Sequence, residues 1–336
     1  MGRQIAVVFD LNKCIGCQTC SVACKVLWTP EESRQGLWWC SVNTQPGRGS
    51  PRDWEEMGGG YDGRGRLVLG HLPTSEEFGR AGPYNWREVH SSASHTPFRP
   101  TEPTPSWAMN WDEDQGAGEY PNAYFFYLPR ICNHCLKPAC VEACPNGAMY
   151  KRDDFGVVLR DEERCQAEQL CARACPYKKI HFDTVLRIGS HCIGCFPRLE
   201  KGVAPACVRQ CPGRAAFIGY RDDPSGAIHR LVDEWYVALP LHPEFNTLPN
   251  VFYVPPLSPY LMREDGTIDE SQRRIPVEYL ETLFGNGVRR ALDVLEVEME
   301  RARRGEDSEL MEILIAYQWK ELLGPFDRDP AEIAWD

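Results

Sequence analysis

The sequence lacks an uninterrupted apolar stretch of about eighteen residues, the length of a membrane-spanning helix, so we expect no direct membrane span. It also lacks an excess of positive charge. The formal net charge is −11, which argues against a nucleic-acid partner because phosphate binding needs a basic surface. The apolar run at residues 5–9 is too short for a secretory signal, so we expect any export to depend on a partner's signal. Cysteine, in contrast, is abundant, with 16 among 336 residues.

Fifteen of the 16 cysteines fall into four groups, and each group ends in two cysteines separated by three residues. A disulfide scaffold is disfavoured because such proteins are short and secreted. Free buried thiols would show no spacing rule, and a structural zinc site takes two well-separated pairs. The groups are Cys14-x2-Cys17-x2-Cys20-x3-Cys24, Cys132-x2-Cys135-x4-Cys140-x3-Cys144, Cys165-x5-Cys171-x3-Cys175 and Cys192-x2-Cys195-x11-Cys207-x3-Cys211.

The first group has the spacing of the bacterial ferredoxin motif, which binds iron–sulfur clusters. Three thiolates on one tight loop can reach three irons of one cubane, whereas the fourth cysteine, on the helix that follows, points away. That fourth cysteine therefore ligates the other cluster of a two-cluster pair. Groups two and three are close in sequence and form one pair, which leaves groups one and four to pair around them.

This rule predicts four clusters, each completed by the last cysteine of the paired group. The predicted ligands are Cys14, Cys17, Cys20 and Cys211 for cluster A; Cys24, Cys192, Cys195 and Cys207 for cluster B; Cys132, Cys135, Cys140 and Cys175 for cluster C; and Cys144, Cys165 and Cys171 for cluster D. Clusters A, B and C, with four thiolates each, are predicted to be [4Fe-4S] clusters.

Cluster D has one thiolate too few, because Glu168 stands where a regular motif has a cysteine. Such a site holds either a [3Fe-4S] cluster with one corner empty or a [4Fe-4S] cluster whose fourth iron is bound by Glu168. Carboxylate oxygen is a harder ligand than this metal usually takes, so the three-iron form is favoured. Cys40 lies outside every group and is interpreted as a buried free thiol.

Other side chains near the groups have two interpretations each. His134, between Cys132 and Cys135, either forms a hydrogen bond to cluster C or simply fills the surface. The basic residues that flank the groups either offset the negative charge of the clusters or are solvated. These residues are Lys13, Lys25, Arg130, Lys137, Arg198 and Lys201.

We predict an α+β fold with two bacterial-ferredoxin-like modules, one nested in the other. The outer module comprises residues 1–35 and 183–235, and the inner module comprises residues 125–182. Residues 36–124 form a long, irregular but packed insertion rich in aromatic residues and glycine. Residues 236–336 form an extended strap followed by helices.

Local patterns predict several elements within these regions. A strand is expected at residues 5–9, and a hairpin is expected at residues 149–159 with its turn at residues 154–156. The proline-rich segment 237–256 is predicted to be an extended strap lying on a surface, with packing on its own chain preferred over packing on a partner. Apolar periodicity predicts two helices, at about 276–303 and 308–323.

Several longer motifs resemble those of one protein family. They are DLNKCIGCQTC (10–20), NWDEDQG (110–116), FFYLPRICNHC (125–135), CIGCFPR (192–198) and VALPL (237–241). Together they resemble the iron–sulfur beta subunits of the type II group of the dimethyl-sulfoxide reductase family. The resemblance covers nearly the whole chain, including the insertion and the strap.

The resemblance implies a complex of three subunits. A catalytic alpha subunit would carry a molybdenum bis-pterin cofactor and one further cluster, and a gamma subunit would carry haem b. This chain would conduct electrons between them, with cluster A nearest the alpha subunit and a three-iron cluster D nearest the haem. Several relatives are periplasmic and are exported with their alpha subunit, so the periplasm is the expected location. The cytoplasm, or the cytoplasmic face of the membrane, is the alternative.

The sequence thus predicts a non-catalytic subunit that transfers electrons by an outer-sphere mechanism. A free-standing soluble polyferredoxin is the alternative, but a shuttle of that kind needs neither the insertion nor the strap and C-terminal helices. A radical enzyme would need a C-x3-C-x2-C loop that leaves one iron open, and this spacing does not occur in the sequence.

Overall fold

The computed structural model describes residues 3–30, 37–74, 77–78, 115–183 and 186–334. Mixed short helices and strands make this an α+β fold, as the sequence predicts. Within these ranges, no helix combines the length and the apolar character needed to cross a membrane.

The secondary structure alternates between strands and short helices along the chain. The strands are β1 (Ile5–Asp10), β2 (Ser41–Gln45), β3 (Phe126–Arg130), β4 (Met149–Lys151), β5 (Val158–Arg160), β6 (Ile180–Asp183), β7 (Ile188–His191), β8 (Ala216–Tyr220), β9 (Leu239–Pro240), β10 (Val251–Val254), β11 (Tyr260–Met262) and β12 (Ile268–Arg273). The α-helices are α1 (Thr19–Trp28), α2 (Ala139–Glu142), α3 (Leu170–Ala174), α4 (Phe196–Glu200), α5 (Ala206–Arg209), α6 (Ala227–His229), α7 (Val277–Phe284), α8 (Val288–Arg303) and α9 (Glu309–Ile315). Shorter 3-10 or π turns cover Trp54–Met57, Arg230–Glu234, Pro243–Phe245, Trp319–Phe326 and Pro330–Glu332.

A four-stranded sheet with the order β8-β1-β10-β9 lies at the centre of the core. Every residue of β1 is buried, which explains the apolar run at residues 5–9 and confirms the strand predicted there. Strand β1 pairs antiparallel with β8 and parallel with β10. Because β1 leads directly into the first cysteine group and β8 follows the fourth, this pairing brings groups one and four together.

The predicted strap packs on its own chain, but it is extended only in part, because a 3-10 turn at Pro243–Phe245 interrupts it. Its end includes β10, which is fully buried between β1 and β9 and so does not lie on a surface. The side chain of Asn12 ties this segment to the first cysteine group, since its amide nitrogen donates to the carbonyl of Pro255 at 3.0 Å. The strap is therefore part of the framework that holds the first loop.

Short antiparallel pairs surround the other cysteine groups. Strands β4 and β5 form the hairpin predicted between groups two and three. Strands β6 and β7 form a second hairpin between groups three and four, and β11 pairs with β12 after the strap. Strand β2, in the predicted insertion, pairs with β3 immediately before group two. Residues 36, 75–76 and 79–114 of that insertion lie outside the described residues.

The single helix predicted over 276–303 is wrong, because the structure has two helices there, α7 and α8. The break is at Gly285, whose φ of +76° lies in the left-handed region. A Cβ there would meet Pro243 Cγ at 2.8 Å, so the site requires glycine. The second predicted helix is also shorter than expected, because α9 ends before Ala316, which has a φ of +48°.

His181 on β6 is buried, and burial lowers its pKa to about 3. Between pH 6.5 and about pH 3, His181 binds a proton in the unfolded chain but not in the folded chain. Stability should therefore fall as the pH falls through this window, by about 1.4 kcal/mol per pH unit for this residue. When the pH is lowered from about 7.5 to about 5, we expect the melting temperature to fall less in His181→Leu than in the wild type.

His181 lines the cavity of the cluster D set, so the comparison is made over the pH range in which iron analysis shows that both proteins keep the same iron content. The Leu variant loses the hydrogen bond between His181 and the backbone of Trp38, so the two proteins are compared by the change of melting temperature with pH and not by its value at neutral pH. An equal loss of melting temperature in the two proteins would contradict this assignment.

Candidate iron–sulfur centres

Each cysteine group begins with a tight loop that has at least one residue in the left-handed region. The residue two positions after the first cysteine has positive φ in every group: +66° at Gly16, +42° at His134, +63° at Ala167 and +64° at Gly194. At Gly16 a Cβ would meet the ring of Tyr127 at 2.6 Å, so this loop requires glycine. The loops turn the neighbouring side chains inward toward a common centre.

The thiols of the first group meet the last cysteine of the fourth group at one cavity. Its wall includes Cys14, Cys17, Cys20 and Cys211, the set predicted for cluster A. Helix α1 carries both Cys20 and Cys24, one helical turn apart, so that both lie on one face of the helix.

A second cavity, deeper in the core, is lined by the set predicted for cluster B. Cys24, Cys192, Cys195 and Cys207 are all buried at its wall, which also includes residues 5–7 of β1, Val251 of β10 and His134. The donors at these two cavities are thiols, the ligand type that iron–sulfur clusters take.

The set predicted for cluster C also comes together. Burial is the largest cause of the raised pKa values of Cys132, Cys135 and Cys140, and the nearby charge of Cys175 adds to the rise in all three. Helix α2 carries Cys140, and Cys175 follows the last residue of α3. These two helices pack against each other, which explains how the distant members meet.

Cys144, Cys165 and Cys171 line a cavity whose wall also includes Glu168. The loop has the same backbone turn as group one: Ala167 and Gln169 have φ values of +63° and +59°, as Gly16 and Gln18 have +66° and +58°. Glu168 therefore occupies the position that Cys17 occupies in group one. Its carboxylate accepts a hydrogen bond from Asn146 Nδ2 at 3.0 Å.

Burial raises the pKa of many of these thiols, because a thiolate is poorly stabilised away from water. The pKa is about 12 for Cys14, Cys135, Cys171 and Cys192, with burial as the largest cause in each case. Without metal the thiols would thus remain protonated. Iron binding would displace these protons and provide the positive charge that stabilises the thiolates.

The four sets follow one another in a row. Burial is the main cause of the raised pKa values of Cys24, Cys132 and Cys171, and a smaller contribution comes from a thiol of the adjacent set. The charge of Cys20 raises the pKa of Cys24, that of Cys192 raises the pKa of Cys132, and that of Cys175 raises the pKa of Cys171. These neighbours give the order A, B, C, D.

Several donors to cluster ligands were not predicted from the sequence. The indole nitrogen of Trp28 donates to Cys195 Sγ at 3.1 Å, and the backbone nitrogen of Gly194 donates to Cys192 Sγ at 3.4 Å. Trp28 could have been found, because it lies four residues after Cys24 on the same face of α1. His134 is not a surface residue: it is buried, and its Nε2 lies 3.8 Å from Cys192 Sγ, in the set for cluster B.

Three cations are buried among the described residues: Arg130, Lys178 and Lys179. Lys179 is 2% exposed, and burial lowers its pKa to about 8, while the thiols of Cys24 and Cys192 act in the opposite direction. Arg130 is also buried, and its guanidinium lies 3.6 Å from the ring centroid of Trp54. Of the flanking cations that the sequence indicates, Arg130 is therefore not a solvated residue, whereas Lys179, four positions after Cys175, was not among those predicted.

Cys40 is buried, as predicted, and its thiol forms a hydrogen bond with Cys20, a candidate ligand of cluster A. This bond and burial raise the pKa of Cys40 well above the usual range, so that Cys40 keeps its proton. The Cys40 S–H therefore donates to the sulfur of Cys20.

We expect Cys40→Ala to retain all its iron and to lower the reduction potential of cluster A, because a hydrogen bond to a ligand sulfur stabilises the reduced cluster. The decrease should be up to about 59 mV, a tenfold change in a one-electron equilibrium. Redox titration followed by electron paramagnetic resonance (EPR) measures it, and Cys40→Ser, which keeps a donor, is the control. Loss of about four irons from the Ala variant would instead identify Cys40 as a ligand.

Comparison with known proteins places the chain in one family. The 4Fe-4S dicluster domain family matches residues 123–221. The chain is 50% identical to the selenate reductase subunit beta of Thauera selenatis over 325 residues, which cover 96% of this chain and 99% of the relative. It is 49% identical to the dimethylsulfide dehydrogenase subunit beta of Rhodovulum sulfidophilum over 320 residues, or 95% and 98% of the two chains.

A more distant relative is the respiratory nitrate reductase 1 beta chain of Escherichia coli, which is 31% identical over an alignment 392 residues long, gaps included. That match covers 84% of this chain and 77% of the relative. The sequence motifs, the thiol-lined cavities and these full-length similarities agree. The chain therefore belongs to the iron–sulfur beta subunits of the type II dimethyl-sulfoxide reductase family, and it is an iron–sulfur electron-transfer subunit.

Proposed function

We propose that this chain conducts electrons through four iron–sulfur clusters within a molybdenum oxidoreductase complex. Clusters A, B and C are [4Fe-4S] clusters, cluster D is a [3Fe-4S] cluster, and their ligands are the four cysteine sets predicted above. The observation that carries the proposal is the exchange of last cysteines between groups. Cys211 of group four lies with Cys14, and Cys24 of group one lies with Cys192.

The chain's own residues bury, space and tune the cluster sites. When bound, the clusters supply reversible one-electron storage. Burial of all four cysteines excludes water at the site of cluster B. Trp28 and Gly194 donate hydrogen bonds to sulfur there, and Lys179 contributes a buried positive charge that offsets the negative charge of the ligands.

The two ends of the row are the points at which electrons enter and leave. At the cluster A end, Cys17 is exposed and Ile15 beside it is 63% exposed. At the cluster D end, Glu168 is exposed. Clusters B and C lie between these ends, so an electron crosses the chain only through all four.

We assign cluster D three irons. Glu168 is a carboxylate in the position of a thiolate, and iron in these clusters prefers sulfur. The hydrogen bond from Asn146 also occupies one of its carboxylate oxygens. The alternative, a [4Fe-4S] cluster with Glu168 as the fourth ligand, is separated from this assignment by an experiment described in the Discussion.

The nesting of two ferredoxin-like modules is part of the same proposal. Groups one and four would form the outer module, supported by the pairing of β1 with β8 and the packing of α1 against α5. Groups two and three would form the inner module, supported by the packing of α2 against α3. Residues 183–235 would close the outer module after the inner one.

The proposed partners follow from the family. Relatives are subunits beta of reductases and of a dehydrogenase, which supports a separate catalytic alpha subunit with a molybdenum bis-pterin cofactor. We place that subunit at the cluster A end and a haem b gamma subunit at the cluster D end. We propose a periplasmic location reached by export with the alpha subunit, and the alternative is the cytoplasm or the cytoplasmic face of the membrane.

Purification of the chain from its native host, with its natural partners, tests the complex. Near-stoichiometric molybdenum and a large excess of iron should accompany the chain, together with haem b. A chain that purifies alone, with iron and without molybdenum, would overturn the complex and leave a free polyferredoxin. Fractionation of the same cells shows whether the chain is periplasmic.

A further inference from the structure

His134 lies at the boundary between the candidate sites of clusters B and C. Its Nδ1 is 3.8 Å from Sγ of Cys132, a ligand proposed for cluster C. Its Nε2 is 3.8 Å from Sγ of Cys192, a ligand proposed for cluster B. One buried imidazole ring therefore contacts both sites, although in sequence it belongs to the loop of cluster C.

A third contact determines which nitrogen carries the proton. The backbone N–H of Val158 donates to Nδ1 of His134 at 3.0 Å, so Nδ1 is an acceptor without a hydrogen. A neutral imidazole then has its single proton on Nε2. The Nε2–H points toward Cys192, whereas Nδ1 has no proton to offer Cys132.

The backbone holds the ring in this position. His134 has a φ of +42°, at the loop position where groups one and four have glycine. Its carbonyl accepts hydrogen bonds from Lys151 Nζ at 3.0 Å and from Asn250 Nδ2 at 2.9 Å, which stabilise this sparsely populated conformation. The backbone N–H of His134 donates to the thiol of Cys132. The main chain of His134 thus donates to a proposed ligand of cluster C, whereas its side chain points toward a proposed ligand of cluster B.

We propose that His134 is a positioning residue for cluster B, whose Nε2–H forms a hydrogen bond to Cys192 and raises the reduction potential of cluster B from within the cluster C loop. A hydrogen bond to a ligand sulfur offsets the charge of the reduced cluster and so favours reduction. This inference rests on the proposed assignment of clusters B and C.

Two reference variants identify the signals of the two clusters without deleting a ligand. Trp28→Phe removes the indole donor to Cys195 and should shift the potential of cluster B. Thr247→Val removes the side-chain hydrogen bond to Cys135 and should shift the potential of cluster C. Each signal in an EPR-monitored redox titration of the purified complex is assigned by the variant that moves it.

His134→Leu should lower the potential of the signal that Trp28→Phe moves and leave the signal that Thr247→Val moves unchanged. The expected size is about a tenfold decrease in the equilibrium constant for reduction, equivalent to about 59 mV for one electron. His134→Gln, whose amide N–H can replace the imidazole donor, should recover most of the loss. The proposal would be overturned if His134→Leu shifted the cluster C signal instead, or shifted neither signal. It would also be overturned if His134→Gln had the same potentials as His134→Leu.

A measurement on the wild-type complex covers the case in which the variants do not fold. With ¹⁵N-labelled histidine, pulsed EPR should detect nitrogen coupling to a histidine in the cluster B signal, and its absence there would overturn the proposal. Iron analysis separates this test from the proposed function. A wild-type chain that lacks cluster B or C overturns both, whereas full iron content without the expected shift or coupling overturns the role of His134 alone.

Discussion

Glu168→Cys should add one iron to the chain and convert cluster D from a [3Fe-4S] to a [4Fe-4S] cluster. The matching backbone angles around Glu168 and Cys17 mean that a cysteine at position 168 would direct its sulfur into the cavity as Cys17 does. The iron content should rise from about 15 to about 16 per chain, and the paramagnetism of the oxidised three-iron cluster should disappear. The potential of cluster D should also fall markedly, because cluster type and charge set it.

Glu168→Gln is the matched control, since it keeps the size of the side chain and removes the carboxylate. A three-iron site should retain its iron and its EPR signal in this variant. If the wild type instead contains about 16 irons and the Gln variant loses one, Glu168 is a ligand and the three-iron assignment is wrong. Iron analysis and EPR of the three proteins, purified in parallel, give the answer.

Removing two ligands of cluster B should unfold much of the chain, whereas removing two ligands of cluster A should not. Cys195→Ala with Cys207→Ala would leave a void against the face of the central sheet, where all four proposed ligands of cluster B are buried. We expect a loss of about 3–5 kcal/mol in the free energy of unfolding, comparable with deleting a large core side chain. Anaerobic chemical denaturation and limited proteolysis measure it.

Cys14→Ala with Cys17→Ala is the matched variant at the end of the row. It should lose a similar amount of iron, about four atoms, because cluster A also has four ligands. The loss of stability should be smaller, since Cys17 is exposed and this site opens to the surface. Equal destabilisation of the two double variants would contradict the position of cluster B as part of the core.

The candidate site was largely predictable because its chemistry is local. A ferredoxin loop holds three cysteines within a few residues, and the fixed geometry of that loop determines which cysteine points away. The hairpin β4–β5 was predictable for the same reason, since its turn residues and flanking strands are contiguous in sequence. These features depend on neighbours along the chain and not on distant contacts.

The features that the sequence could not provide depend on distant contacts. The strap becomes an inner strand because it pairs parallel with β1, and nothing in its proline-rich sequence specifies that partner. His134 serves cluster B only because β5 supplies the N–H of Val158 that fixes its tautomer. The break at Gly285 was hidden by apolar periodicity, which continues across α7 and α8.

The number and type of clusters is the central claim, and the most direct test is iron and acid-labile sulfide analysis combined with Mössbauer spectroscopy of the ⁵⁷Fe-labelled chain. The account predicts about 15 irons and about 16 sulfides per chain in this subunit, with three [4Fe-4S] spectra and one [3Fe-4S] spectrum. Purified complexes also contain the proposed alpha-subunit cluster, which must be subtracted. A chain with only about eight irons, in two clusters, or with zinc in place of iron, would contradict it.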